Sequence, residues 1–179
     1  MITYDELSSY TDQLGVDDEN STSHSVDTAS SVEGLTTCHN LKLSWCAGFY
    51  DGDGCGTITK QQVPGRKHPT YRLRLYLVQN CHVTLHHFQS TLGESCCFTK
   101  VKRRMDHNKQ IYVLAYDGWH ALAVLTKIEP YLIRKRIEAQ AAFQFWTLAR
   151  MGTYSGPDGF PPEVWEEREY WYRKLQRLK

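Results

Sequence analysis

The sequence predicts an α+β domain in the order helix, two strands, helix, two strands, helices, preceded by an acidic tail. Three observations carry this. "YRLRLYLVQ" alternates strictly, with Tyr71, Leu73, Leu75 and Leu77 on one face and Arg72, Arg74 and Tyr76 on the other. "CCFTKVKRR" and "IYVLAYD" are two further strand-like runs around the polar turn "MDHNKQ". The segments between and beyond these runs have helical periodicity and are punctuated by Gly and Pro.

Each element follows from local chemistry. "NLKLSWCAGFYDGDG" starts on a predicted N-cap at Asn40, and Gly52, Gly54 and Gly56 end the helix. "GTITKQQ" reads as a short strand and "VPGRKHPT" as a loop before the alternating strand. "HVTLHHFQSTLG" reads as a helix closing on Gly93. The segment from Gly118 to Met151 reads as helical throughout, with a break or kink at Pro130. After the Gly/Pro-rich "GTYSGPDGFPP", "EVWEEREYWYRKLQRLK" makes a final amphipathic helix. The organisation is thus a tail at 1–39, a domain at 40–150, and a loop with a C-terminal helix at 151–179.

Charge is distributed unevenly. Residues 1–40 hold eight of the 20 acids and no Lys or Arg, which leaves 12 acids against 21 Lys and Arg in residues 41–179, a net of +9. The tail is rich in Ser and Thr and is expected to be disordered. It has neither the basic start and apolar core of a signal peptide nor the Arg-rich, acid-poor make-up of a transit sequence. No run reaches the roughly 18 apolar residues of a membrane span. The expectation is a soluble intracellular protein with no membrane partner; cytoplasm, organelle and phage-infected host cell are not distinguished. The six cysteines include no C-x-x-C pair and read as reduced thiols in a core. Cys81, His82, His86 and His87 could be imagined around zinc, but no second ligand pair supports such a site.

"GFYDGDG" is the unusual stretch. A helix C-terminus carries partial negative charge, so Asp51 and Asp53 there cost a few tenths to ~1 kcal/mol each unless a positive group meets them. Ser44, Gly48 and Gly52 recur every four residues, with Ala47 and Asp51 alongside, so one helix face is nearly bare backbone and a second helix could approach closely. Together the stripe and the aspartates fit a metal site on a dimer axis. An EF-hand would place Asp51, Asp53 and Gly56 at positions one, three and six, but Cys55 and Gln62 would then fall at five and twelve, and a strand follows. An ordinary solvated turn explains neither the stripe nor the basic strands.

These residues carry a family resemblance. "WCAGFYDGDG" resembles the signature of the LAGLIDADG homing endonucleases, Gln79 followed by Gly93 matches that family's strand-Gln-helix-Gly segment, and "EPYLIRKRIEAQ" resembles its Pro-aromatic-Leu helix with a basic residue, here Lys135. Residues from about 40 to 150 are similar in order to an αββαββα core, which implies a saddle-shaped antiparallel sheet with an additional C-terminal helix.

The resemblance implies a site-specific, double-stranded DNA endonuclease of the single-motif type, acting in intron homing as a homodimer on a long pseudo-palindromic site. Asp53 would ligate a divalent ion, Mg²⁺ or another such as Mn²⁺, with the Gly52 carbonyl as a further oxygen ligand. On this reading the ions also balance the acids at the helix ends. Gln79 would position water, and Asp51 would cap or touch the partner helix. The dimer interface would comprise Ser44, Ala47, Gly48, Asp51 and Gly52. The family often has a lysine near the start of the third-helix segment; "YDGWHALAV" has Trp119 and His120 there, so Lys100 or Lys102 would supply that charge.

For DNA contact the candidates on the strands are Thr59, Gln61, Arg72 and Arg74, with Lys100, Lys102 and Arg103 following. Arg66 and Lys67 in the loop would track phosphate, and Lys135 joins them through the resemblance. The alternative is a cleavage-deficient protein on the same scaffold, an RNA maturase engaging intron RNA or a DNA-binding regulator.

Overall fold

A computed structural model describes residues 28–102, 109–153 and 159–179. Leu35–Lys179 forms one compact unit. Of the candidates, Arg103 lies outside the described residues, as does most of the acidic tail.

The element order is α1 (Thr28–Asp53), β1 (Gly54–Gln61), β2 (Thr70–Gln79), α2 (His82–Leu92), β3 (Cys97–Val101), β4 (Ile111–Asp117), α3 (Trp119–Ile128), a 3-10 turn (Glu129–Tyr131), α4 (Arg136–Leu148) and α5 (Pro162–Arg177). Four antiparallel strands pair in the order β1-β2-β4-β3. This is the predicted α+β architecture with its two β-pairs.

Burial follows the predicted alternation. Tyr71, Leu73, Leu75 and Leu77 of β2 are buried with Leu114 and Tyr116 of β4, against Leu43, Cys46 and Tyr50 of α1 and Leu85 and Phe88 of α2. Gly93 closes α2 in the left-handed conformation at φ 69°, where a side chain would be strained. The C-terminal helix is anchored by charge as well as apolar packing. Glu169 accepts hydrogen bonds from Lys60 Nζ at 2.7 Å and from the Tyr71 hydroxyl at 2.5 Å. Arg168 is buried between the rings of Phe160 and Trp165 and donates to the Ala149 carbonyl at the end of α4.

Three expectations require correction. α1 is already helical at Thr28, the first described residue, so Asn40 lies inside the helix and is not its N-cap. The Gly118–Met151 segment breaks at Pro130 as expected, but the non-helical stretch is longer than a kink. It passes through the 3-10 turn at Pro130, becomes extended at Leu132 (φ −72°, ψ 140°), and resumes as α4 at Arg136. The cysteines are not all core residues: Cys46 is buried, whereas Cys38, Cys81 and Cys97 are exposed, all as free thiols.

Candidate functional site

The site grows from the C-terminal end of α1. Tyr50 is buried beneath the turn into β1, where a Cβ on Gly54 or Gly56 would collide with its ring or hydroxyl. The glycines of "DGDGCG" at 54 and 56 are therefore needed for packing, quite apart from any ligand.

The two acids diverge. The Asp51 carboxylate turns into the same chain and accepts the backbone N–H groups of Ile133 (2.7 Å), Arg134 (3.0 Å) and Lys135 (2.9 Å). Burial alone would raise its pKa, but these three donors and the Lys135 charge outweigh burial and hold it below the usual carboxylate range. This is why the 133–135 segment leaves the helix: a carboxylate more than eighty residues upstream takes its amides. Lys135, expected to contact DNA, is instead buried. Its Nζ donates to the Tyr50 carbonyl at 2.9 Å and to the Asp51 carbonyl at 2.6 Å, so it serves as the cation at the α1 C-terminus. Burial, with the nearby Arg134 charge, lowers its pKa. The positive group that the helix end calls for is thus supplied in part by this chain, and Asp51 needs no metal to offset it.

Asp53 remains outward and exposed. Gln79 Nε2, at the end of β2, donates to its Oδ2 at 2.6 Å, so two residues selected separately along the sequence meet at one point. The Gly52 carbonyl faces the same end, with Arg134 Nη2 at 3.4 Å. Arg134 is an exposed cation beside this cluster that sequence reasoning passed over; the only signal was its place in "LIRKR". The donor set suits a hard cation, being carboxylate and carbonyl oxygen. Among the described residues there is no group of three or more His, Cys, Asp or Glu that could hold a metal ion.

Along α1 the face bearing Ser44, Gly48 and Gly52 is exposed, and a Cβ built on either glycine meets nothing within 4 Å. Leu41 and Trp45 extend the same face, 67% and 39% exposed. Ala47 does not belong to it: it is fully buried in this chain's own core, because its position faces the sheet.

The strand candidates separate by register. Thr59 pairs with Arg72, and Thr57 with Arg74, placing Thr59, Arg72 and Arg74 on the face of the sheet away from the Leu73–Leu77 core. Arg72 is exposed, and Gln61 lies exposed at the strand end. Arg74 is held bidentately by Asp117 at 2.6 and 2.7 Å, an acid the sequence reading did not select. Lys100 is not on that face. It pairs with Tyr112, which pairs with Gln79, so by the parity of the ladder it shares the Gln79 side. Lys102, just beyond β3, is exposed, as are Arg66 and Lys67 in the β1–β2 loop. Trp119 is exposed at the start of α3, and His120 is paired with Glu94 at 3.1 Å. No helix among the described residues is long and apolar enough to cross a membrane.

Neither a protein-family model nor a curated protein matches the chain. Solved structures do. The homing endonuclease I-CvuI bound to its target in the presence of Ca is 27% identical with a TM-score of 0.63, covering 80% of this chain and 85% of that one. I-CvuI with the I-CreI target and Mg, its DNA not cleaved, gives 27% identity and a TM-score of 0.62 over 79% and 84%. The archaeal intron-encoded homing endonuclease I-Vdi141I complexed with DNA shares the fold at 12% identity and a TM-score of 0.61, over 78% and 85%. The meganuclease I-SmaMI bound to DNA (TM-score 0.56, 17% identity) is matched by 73% of this chain over only 43% of its own length.

Proposed function

The chain has the fold of the LAGLIDADG homing endonucleases, and from that premise we propose that it is a site-specific double-stranded DNA endonuclease acting as a homodimer. The observation that carries the proposal is the Asp53–Gln79 hydrogen bond at the exposed end of α1, on a sheet whose opposite face bears arginines further along β2.

Asp53 and the Gly52 carbonyl, contributed by each of two copies, would hold divalent ions such as Mg²⁺ or Mn²⁺. Such ions, when bound, supply Lewis-acid stabilisation of the phosphate and a water of lowered pKa. Gln79 fixes the Asp53 carboxylate through one amide hydrogen, leaving its second hydrogen and its carbonyl oxygen to hold a water. Lys135 and Asp51 tie the end of α1 to the 133–135 segment, so Asp53 projects from a rigid support. Arg134 and the Lys100 side of the sheet supply positive charge for phosphate, and Arg72 and Arg74 face bases.

The open α1 face supports the homodimer. Glycine inside a helix costs ~1 kcal/mol relative to alanine, yet nothing in this chain crowds Gly48 or Gly52. A closely approaching second α1 accounts for that cost, and twofold symmetry then gives a pseudo-palindromic site.

The test is Asp53→Asn. Wild type with Mg²⁺ should cut a plasmid carrying the uninterrupted host gene, whereas the variant should bind the same DNA in Ca²⁺ without cutting it. A variant that cuts at the wild-type rate removes Asp53 from the centre. A wild type that binds without cutting identifies a cleavage-deficient DNA-binding protein.

A further inference from the structure

Toward the Gln79 end of β2 the outward face of the sheet becomes mainly aliphatic. Beyond Arg74 and Tyr76, β2 presents Val78, which pairs with Val113 of β4; the next row pairs Ile111 with Val101 of β3. Val78, Ile111 and Val101 are 41%, 43% and 38% exposed, and Val113 is half-buried. Four β-branched aliphatics thus lie together on a surface to which this chain's core packing contributes nothing. Threonine or arginine would suit a solvated strand as well, as Thr59, Thr99 and Arg72 do on the same face.

The flanking chemistry selects the occupant. The strip continues the face that carries Arg72 and the Arg74–Asp117 pair, in a body with a net charge of +9. That arrangement matches a polyanion rather than an apolar protein surface. In the major groove the one apolar feature of a base edge is the thymine C5-methyl group. Same-face residues on a strand recur every ~6.8 Å, close to two steps of duplex DNA at ~3.4 Å each. The step from Arg74 to Val78 covers ~13 Å, or about four base pairs.

We propose that Val78, Val101, Ile111 and Val113 read thymine methyl groups, so that each half-site carries a thymine-rich run about four base pairs from the base facing Arg74. The assignment rests on the DNA-binding reading above.

The full-length protein is used in Ca²⁺ to select duplexes from a random library. Binding to the recovered site is then compared with binding to the same site carrying deoxyuridine for thymine in the run. Each methyl lost should weaken binding about fourfold, the equivalent of one buried CH₂, and the whole run more than tenfold. The double variant Val78→Ser, Val113→Ser, which removes the side-chain methyl groups, should lose most of this discrimination. Equal affinity of wild type for thymine and deoxyuridine sites overturns the assignment while leaving the DNA reading intact, and needs no variant. Recovery of no duplex at all overturns the DNA reading and this assignment with it.

Discussion

Replacing Lys135 by methionine tests the physical logic of the site most directly. Lys135 is 6% exposed, with its Nζ 2.9 Å from the Tyr50 carbonyl, 2.6 Å from the Asp51 carbonyl and 5.5 Å from the Tyr50 ring centroid. Two opposing effects decide the outcome. Burying an ammonium costs several kcal/mol, which the lowered Lys135 pKa reflects. Against this stand two charge-assisted hydrogen bonds, ~1.5–3 kcal/mol each, and a favourable place at a helix C-terminus of up to ~2 kcal/mol. Methionine fills the volume of the stem, so no cavity term enters, but the last carbonyls of α1 lose their donor at ~1–3 kcal/mol each. The expected net loss is ~2–4 kcal/mol. With a urea slope of ~1–3 kcal/mol/M, the midpoint should fall by about 1–2 M. Urea unfolding followed by far-UV circular dichroism at one fixed protein concentration measures it, since any dimer makes the midpoint concentration-dependent. Arg134→Met is the control: exposed, with a single 3.4 Å side-chain contact to Gly52, it should shift stability by less than ~0.5 kcal/mol. A Lys135→Met protein within ~0.5 kcal/mol of wild type would refute the idea that this ammonium holds the helix end.

Asp51→Asn should cost ~1–2 kcal/mol at pH 7 by weakening the acceptor of three backbone N–H donors at a partly exposed site. Because the folded-state pKa of Asp51 is depressed, its contribution is complete above pH ~4 and disappears as pH falls below that through the folded value; the stability gap between wild type and variant, followed by urea melts from pH 7 to pH 3, should therefore close in acid. Gly48→Leu should leave the chain folded, since the position is open, but separate the dimer: sedimentation should give about twice the 20.8 kDa chain mass for wild type and a monomer for the variant. A dimeric Gly48→Leu protein would place the interface elsewhere. Asp117→Asn should change stability by less than ~1 kcal/mol, because the pair with Arg74 is 30% and 42% exposed, yet relax base preference at one position of a selected site. Arg74→Ala should weaken binding at that position by ~1–3 kcal/mol; unchanged affinity in both variants would make the pair a solvated one.

The sequence by itself determined the element order, both β-pairs and the buried face of β2, because strand alternation and glycine punctuation are local and need no partner. It also singled out Asp53 and Gln79, one at a helix end and one at a strand end, and the small-residue run of α1. What those residues touch was decided by the tertiary structure. Asp51 and Lys135 lie far apart in the chain, and only packing brings carboxylate to amides and ammonium to carbonyls, turning an expected DNA contact into a helix cap. Ala47 sits beside Gly48 in sequence but on the core side of the helix, a rotation that spacing alone leaves open because small residues suit either side. Lys100 and Val101 exchange roles through the register of β3 on β4, since a one-residue shift in pairing moves every side chain to the opposite face. The same register assembles Val78, Val113, Ile111 and Val101, which three separate strands contribute, into one surface. Local periodicity says which residues share a face of one strand; only long-range pairing says which faces of different strands meet.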